Sequence, residues 1–373
     1  MIDLEDVQSL QMVSVFEGGE GSFWRIPGMI MTRKGTVLAT CQHRIDSVED
    51  SGHDIAIAQN RSLDGGTSWS GQRDIVREKG VTFWQGALVE DRESSTLLLP
   101  YVNFPATQSW QSFYVEHGQK GGGFWIMRSI DEGQTWSEPS WVKVEQNPLG
   151  WTGFPDNAVH GIQLSEGPHA GRLVIPAKLF KEGEQGFLPG IRGGLLYSDD
   201  GGRTWSVGAV MQRGSDESVI AEASGGTVYA NLRYNKWFSE KRGFGRSVDG
   251  GANFKNVGNH KGLNHPPCHA GLVRASDWDG HGDALLFSHP RKRRQDLGMY
   301  VSRNDGKSWT YARSIYPGPA GYSDLVVTPN GQVLCLFENG RDTAKERISV
   351  ACFDRDWLSA TENCTSSADV ISP

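Results

Sequence analysis

Several single-copy segments of this 373-residue chain hold residues whose types could do chemistry. Arginines stand in Trp24-Arg25-Ile26-Pro27, in Asn231-Leu232-Arg233 and in the run Arg291-Lys-Arg293-Arg294. Guanidiniums gathered in one place bind a carboxylate through charge-assisted, partly bidentate hydrogen bonds that lysines cannot reproduce. Taken singly, each arginine would read as a solvated surface charge. Tyr322 lies in Gly321-Tyr322-Ser323-Asp324-Leu325, and Glu338 follows in Phe337-Glu338-Asn339. A phenol, with a pKa of about 10, attacks only with a base beside it; otherwise a strand tyrosine is a packed aromatic. Glu222 is the carboxylate of Ala221-Glu222-Ala223, and Cys41-Gln-His-Arg44 leads into the acidic loop Asp46-Ser-Val-Glu49-Asp50-Ser-Gly-His-Asp54.

Those segments must be positioned by something, and a recurring motif says what. It reads Ser62-Leu-Asp64-Gly-Gly66-Thr-Ser-Trp69, then Ser129-Ile-Asp131-Glu-Gly133-Gln-Thr-Trp136 and Ser198-Asp-Asp200-Gly-Gly202-Arg-Thr-Trp205. It returns as Ser247-Val-Asp249-Gly-Gly251-Ala-Asn-Phe254 and, degenerately, as Ser302-Arg-Asn304-Asp-Gly306-Lys-Ser-Trp309. Copies roughly 50 to 70 residues apart suit stacked blades rather than one continuous core. The Asp or Asn can accept from nearby backbone N–H groups and hold a tight turn. The glycine two positions on takes a conformation other residues resist, and the aromatic covers the turn. These acids are therefore structural, being committed to the backbone. Each copy follows a strand-like run, such as Phe124-Trp-Ile-Met127, Gly194-Leu-Leu-Tyr197 or Gly298-Met-Tyr-Val301. Val333–Phe337, Ile348–Phe353 and Val13–Phe16 read as further strands, the last able to pair near the C-terminus and close a ring. No long segment of helical period appears.

Composition agrees and excludes. Forty-seven glycines and thirteen tryptophans, with 22% charged residues, suit many short strands and tight turns. A net charge of −7 argues against nucleic acid, which needs a basic face. Met1–Leu10 is acidic and polar, without the pattern of a secretory signal, and no run approaches a membrane span. The expected location is cytoplasmic, or secreted or periplasmic if a signal has been removed. Cys41, Cys268, Cys335, Cys352 and Cys364 are odd in number and scattered, so reduced, mostly buried thiols are expected. The histidines show no metal spacing. Asp277-Trp-Asp279-Gly-His-Gly-Asp283 reads as a turn rather than a calcium loop. Gly121-Gly-Gly123 precedes a strand and lacks the lysine of a phosphate loop. No metal and no cofactor is expected.

The repeat is the Asp box, and with the single-copy segments the chain resembles the exo-α-sialidases, bacterial and mammalian cytosolic, across nearly its whole length. The resemblance implies one domain over residues 1–373, an all-β six-bladed propeller of four-stranded antiparallel sheets. It implies a retaining hydrolase acting on a terminal α-ketoside of a sialic acid in a glycoconjugate. Arg25, Arg233 and Arg294 are then the carboxylate triad, with Arg294 chosen from its run by its spacing to Leu297–Val301. Tyr322 is the nucleophile, since a carboxylate nucleophile would meet repulsion from the substrate's own carboxylate. Glu222 is its base, Glu338 fixes the fork of Arg25, and Arg44 orients the acidic loop or contacts the sugar. Asp50 is the acid/base by its distance from Arg44, with Asp46 and Asp54 as competitors.

The chain departs from the family around the pocket for the sugar's C5 substituent. Phe83-Trp84-Gln85 stands where mammalian cytosolic sialidases have Met-Asn-Pro, and Lys178 and Phe180 stand where they carry two tyrosines. Asn157-Ala-Val-His160 replaces a Gly-Pro-Gly stretch of bacterial relatives. Phe83, Trp84 and Lys178 could alter which substituent fits, so Kdn or Kdo stand beside N-acetylneuraminic acid as substrates. His269 could reach the sugar's glycerol chain or have no role. A lectin-like propeller that binds sugar acids without turnover is the alternative, but it predicts loss of Tyr, Glu or Asp, and all three types are present. An intramolecular or trans-acting variant would share the same core residues.

Overall fold

The computed structural model describes residues 10–119, 122–155, 158–183, 190–235, 238–264, 266–278, 280, 282–359 and 370–371. Asn157, Gly121, Asp279 and Cys364, which entered the sequence reading, lie outside them. The protein is all-β. Among the described residues its strands form six successive antiparallel runs. The first is Ser22–Met31, Val37–Ile45, Ile55–Ser62 and Arg73–Val76. The second is Val81–Gln85 with Val89–Asp91, then Thr96–Pro105, Phe124–Ser129 and Ser140–Val142. The third is Thr152–Phe154 with Ile162–Gln163, then Leu173–Phe180, Ile191–Ser198 and Trp205–Val210.

Ser215–Ala223, Thr227–Tyr234, Lys241–Ser247 and Asn256–Asn264 make the fourth run. The fifth is Gly271–Ala275, Ala284–Lys292, Gln295–Ser302 and the first half of the long strand Trp309–Val327. That strand's second half opens the sixth run, followed by Val333–Asn339 and Arg347–Phe353. Met12–Phe16, from the chain's other end, pairs onto Arg347–Phe353 and finishes it. Hydrogen bonds join the runs into sheets of eight, nine, six and four strands.

The turn motif explains both the hairpins and the way runs meet. In the first copy the Ser62 hydroxyl donates to Asp64 Oδ1 at 2.8 Å and accepts from the Gly66 N–H at 2.8 Å. The Asp64 carboxylate accepts from the N–H and the hydroxyl of Ser68. The same set recurs at Ser129–Thr135, Ser198–Thr204, Ser247–Asn253 and, with Asn304 for Asp, at Ser302–Ser308. These bonds hold the carboxyls of Asp64 and Asp131 down at about 2.

Each motif glycine has positive φ and lies against the second strand of the preceding run. Gly133 meets Leu38, Gly202 meets Leu98, Gly251 meets Val174 and Gly306 meets Tyr229. Gly66, in the first run, meets Leu334 of the sixth, which brings the two ends of the series together. In the sixth run, which has no motif, the short helix Arg355–Ser359 packs on the fifth, with Arg313 over the Trp357 ring at 4.5 Å.

One helix was not anticipated. Trp110–Gln119 is capped by Ser109, whose hydroxyl accepts the Ser112 N–H at 3.2 Å. Its ten residues, from an insertion between two strands of the second run, are too few for a marked period. Cys41, Cys268 and Cys335 are buried free thiols and Cys352 is half-buried. Asp283 accepts from the Asp277 N–H at 3.0 Å and from Arg274, the bonding of a turn. No helix among the described residues is long and apolar enough to cross a membrane.

A methyl group at Gly306 would sit 2.6 Å from the buried Tyr229 ring, whereas at Gly65 (φ +70°) it would meet nothing within 4 Å. Gly65→Ala should therefore cost about 1 kcal/mol of backbone strain, and Gly306→Ala about 3 kcal/mol, overpacking included. Urea unfolding of the two variants measures the difference; equal costs would show that the motif glycines do not set the spacing between runs.

Candidate active site

The first or second strands of several runs lead toward one cavity of about 480 Å³. Arg25 enters it from the first strand of the first run. The chain there bulges between Arg25 and Gly28, and Ile26 has φ +59°, a conformation costly for a β-branched residue. Glu338 holds the bulge by accepting from the Ile26 N–H at 2.9 Å, and the Gln85 amide donates to the Ile26 carbonyl at 3.0 Å. A bulge re-aims the side chain beside it, here the guanidinium of Arg25.

Glu338 is fully buried. It accepts Arg25 Nε at 2.7 Å and the Tyr322 N–H at 3.1 Å. Burial alone would raise its pKa, but the charge of Arg25 and its hydrogen bonds hold it below the ordinary value. A methyl group on Gly321 would come within 2.3 Å of the Glu338 carboxylate, so only glycine lets the two strands approach this closely.

Tyr322 is buried, and its hydroxyl donates to Glu217 at 2.7 and 2.9 Å. Arg233 Nη1 donates to the same oxygen at 2.7 Å and is also bonded to Glu217. Burial opposes ionisation of Glu217, but the charges of Arg233 and Lys178 outweigh it, so its pKa lies well below the ordinary range. The Tyr322 phenol is pushed well above 10 by burial, with Arg233 opposing. The resting pair is thus a neutral phenol donating to a carboxylate. Arg294 stands over the Tyr322 ring, 5.3 Å from its centre, and donates to the Pro267 carbonyl at 3.1 Å. Of its run, Arg294 lines the cavity, while Arg291 turns away to Tyr311 and Asp296.

Asp50 lines the cavity with its carboxylate largely exposed (62%) and paired with Arg44 at 2.7 Å. Arg44, itself buried, also donates to the Val48 carbonyl at 2.6 Å and to Gln42. Burial works against the Asp50 anion, but Arg44 and Arg25 win and hold its pKa down. The competing acids are committed elsewhere, Asp54 to the Gly80 N–H at 3.0 Å and Asp46 to a turn with φ +61°. Trp84 fixes the loop by donating to the Asp50 carbonyl at 3.1 Å. Lys178, with Asp216 beside it, lines the cavity together with Trp84, Trp110, Tyr114 and Lys345.

Three expectations need correction. Glu222 does not meet Tyr322. Its carboxylate accepts the Ser165 N–H and hydroxyl and the Glu166 N–H, and it lines a separate cavity with His160 and Arg274. Five residues along an extended strand are about 17 Å, so Glu217 and Glu222 serve opposite ends of Ser215–Ala223. The hairpin register holds the missed signal. Ala223 pairs with Thr227 across the Ser224-Gly-Gly226 turn, and Glu222 faces Val228; counting outward brings residue 217 opposite Arg233.

Phe83 points away from the cavity into a cluster with Tyr101, 5.8 Å between ring centres, because neighbours on a strand face opposite sides. His269 is buried behind Tyr322, 5.6 Å from its ring and bonded to the Ser218 carbonyl at 3.2 Å, out of reach of a ligand. Trp110 and Tyr114, also missed, carry the i, i+4 spacing of the unanticipated helix. Lys345 comes from a loop and has no sequence signal.

Fold and site define an all-β repeat protein whose cavity is lined by four arginines and a tyrosine–glutamate pair. The BNR repeat-like domain model matches residues 35–335, and the chain belongs to that family. The relatives that it matches include sialidases. It is 30% identical over 358 residues to the sialidase of Micromonospora viridifaciens, covering 90% of this chain and 52% of that protein, so it spans about half the length of that relative. It is 25% identical over 362 residues to sialidase-2 of Cricetulus griseus, covering 88% of this chain and 92% of that one. The intramolecular trans-sialidase of Ruminococcus gnavus shares the fold, with a TM-score of 0.75 at 17% identity over 93% of this chain and 98% of that chain.

Removing one partner of the Arg25–Glu338 pair leaves a buried charge uncompensated. Glu338→Gln should cost about 3–5 kcal/mol at neutral pH. Because the pKa of Glu338 is lowered on folding, its contribution is present above the unfolded value of about 4.3 and is lost as pH falls through the folded one. The gap between wild type and variant in urea midpoints should therefore narrow below about pH 4. A gap independent of pH would mean that the pair is not ionic.

Proposed function

We propose that the chain is a retaining exo-glycosidase that removes a terminal 2-keto sugar acid of the sialic acid class from a glycoconjugate. The bond network at Tyr322 carries the reading: its hydroxyl donates to Glu217 and accepts from Arg233. We also propose that the six runs are the blades of a single six-bladed propeller, a reading supported by the five glycine contacts between neighbouring runs and by the strand Trp309–Val327 that the fifth and sixth runs share.

Arg25, Arg233 and Arg294 hold the substrate carboxylate, which brings the anomeric carbon over Tyr322. The phenolic oxygen attacks that carbon while its proton passes to Glu217, and the glycosidic oxygen departs with a proton from Asp50. Arg233 stabilises charge on the phenolic oxygen as it develops. Water then attacks the same carbon from the other face, giving a proton to Asp50. Tyr322 leaves and recovers its proton from Glu217. Two displacements at one carbon return its configuration. Asp50 must be protonated to act as the acid, and Arg44 and Arg25 hold its pKa down in the free site, so kcat/KM should decline as pH rises.

On an aryl sialoside, Glu217→Gln should lower kcat about 10²- to 10⁴-fold and Tyr322→Phe at least as much. Glu222→Gln should keep kcat near wild type and lower Tm instead. Loss of activity in Glu222→Gln with activity kept in Glu217→Gln would reverse the assignment of the base.

A phenol leaving group departs without a proton, whereas a sugar hydroxyl needs one. Asp50→Ala should therefore retain much of the first, glycosylation step on the aryl substrate while losing sialyl-lactose hydrolysis, and its pH profile should flatten. Equal loss on both substrates would remove Asp50 from the acid role.

A further inference from the structure

Resting on that reading, we propose that the Lys178–Asp216 pair makes this a site for a sugar acid carrying a hydroxyl, rather than an acetamido group, at C5. In a 2-keto pyranose the anomeric carbon is C2, and the ring atom directly opposite it is C5. With the carboxylate on the arginines and C2 against Tyr322, the C5 substituent is the group assigned to Lys178 and Asp216, which line the same cavity with Trp84, Trp110 and Tyr114. Lys178 is the most buried of these at 1% exposure, with Asp216 and Trp84 at 8% and Tyr114 at 6%. The cavity lining thus includes a buried ion pair as well as aromatic rings. Lys178 and Asp216 are hydrogen-bonded to each other, and the other Asp216 oxygen lies 3.6 Å from Arg233 Nε.

The geometry of the pair discriminates between the two substituents. A hydroxyl carries its donor and its lone pairs on one atom, so it can give a hydrogen bond to Asp216 and accept one from Lys178 at the same contact. An acetamido group is a planar trans amide, with its N–H and C=O pointing in opposite directions. It can address one member of a contiguous pair but not both. An N–H turned to Asp216 sends the carbonyl away from Lys178, while a carbonyl turned to Lys178 faces the Asp216 carboxylate. In either pose the methyl covers charge that has already lost its water, and a buried polar group left without its bond is costly. Sites built to bond a substrate hydroxyl reject analogues that lack it far more strongly than apolar pockets reject an extra methyl.

The test compares direct binding, by calorimetry, of the 2,3-didehydro acids of Kdn and of N-acetylneuraminic acid, alongside kcat/KM for the two 4-methylumbelliferyl ketosides. Wild-type protein should favour the Kdn compound by roughly tenfold or more in both measurements. The double variant Lys178→Met/Asp216→Leu, which removes both members of the pair together, should collapse that ratio toward one or invert it. Lys178→Gln/Asp216→Asn, which keeps a donor and an acceptor, should retain part of the preference; circular dichroism and Tm establish that both variants fold. Equal or tighter binding of the N-acetyl compound by wild type, or an unchanged ratio in the Met/Leu variant, overturns the proposal. Binding with the Kdn preference but no turnover of either ketoside upholds it and sinks the hydrolase reading instead.

Discussion

The arrangement rests on one repeated contact, a glycine with positive φ in each turn motif lying flat against the second strand of the run before it. At Gly66, Gly133, Gly202, Gly251 and Gly306 there is no room for a larger residue without displacing Leu334, Leu38, Leu98, Val174 or Tyr229. The serine and the acid of the motif hold that glycine in place through bonds spanning no more than four residues. The turn is therefore set locally before it meets its neighbour. Small, identical contacts between successive runs fix their spacing, and the spacing fixes where the first two strands of each run deliver their side chains.

The cavity shows what such spacing permits. Glu338 joins three features from distant parts of the chain: the Arg25 guanidinium, the strained bulge at Ile26 and the backbone of Tyr322. Arg233 does the same on the other side, binding Glu217 and the Tyr322 hydroxyl at once. The two buried carboxylates have different partners and therefore different work. Glu338 is saturated by a guanidinium and two N–H groups, which suits a fixed support. Glu217 faces a phenolic proton, which suits a group that receives one. Because each of these two carboxylates has a guanidinium beside it, desolvating the cavity need not neutralise it. The same logic extends to Lys178 and Asp216, which bring a further pair of opposite charges to the wall that faces the ligand.

How much was legible in the sequence depended on the range of the interaction concerned. The turn motifs, the strands that precede them and the pairing of Val13–Phe16 near the C-terminus were all readable. Arg25, Arg233, Arg294, Tyr322, Glu338, Asp50 and Arg44 could be named from their segments, and the cavity gathers all of them except Glu338, which supports Arg25 from behind. Phe83 and Trp84 could not be separated by type, since both are large aromatics; the facing of one strand decides between them. His269 carries no local mark that it would be buried behind Tyr322.

By itself, then, the sequence determined the turns and the kinds of side chain available, because those follow from bonds between residues at most a few positions apart. Only the tertiary structure decided which carboxylate on Ser215–Ala223 would meet a tyrosine 105 residues away. Glu217 and Glu222 stand on the same strand, five residues apart. The choice between them was made by register: one end of the strand opens into the cavity beside Arg233, and the other closes over the Ser165 turn. A strand delivers its side chains wherever its pairing and its neighbours' spacing carry it, and those are properties of the whole assembly of runs.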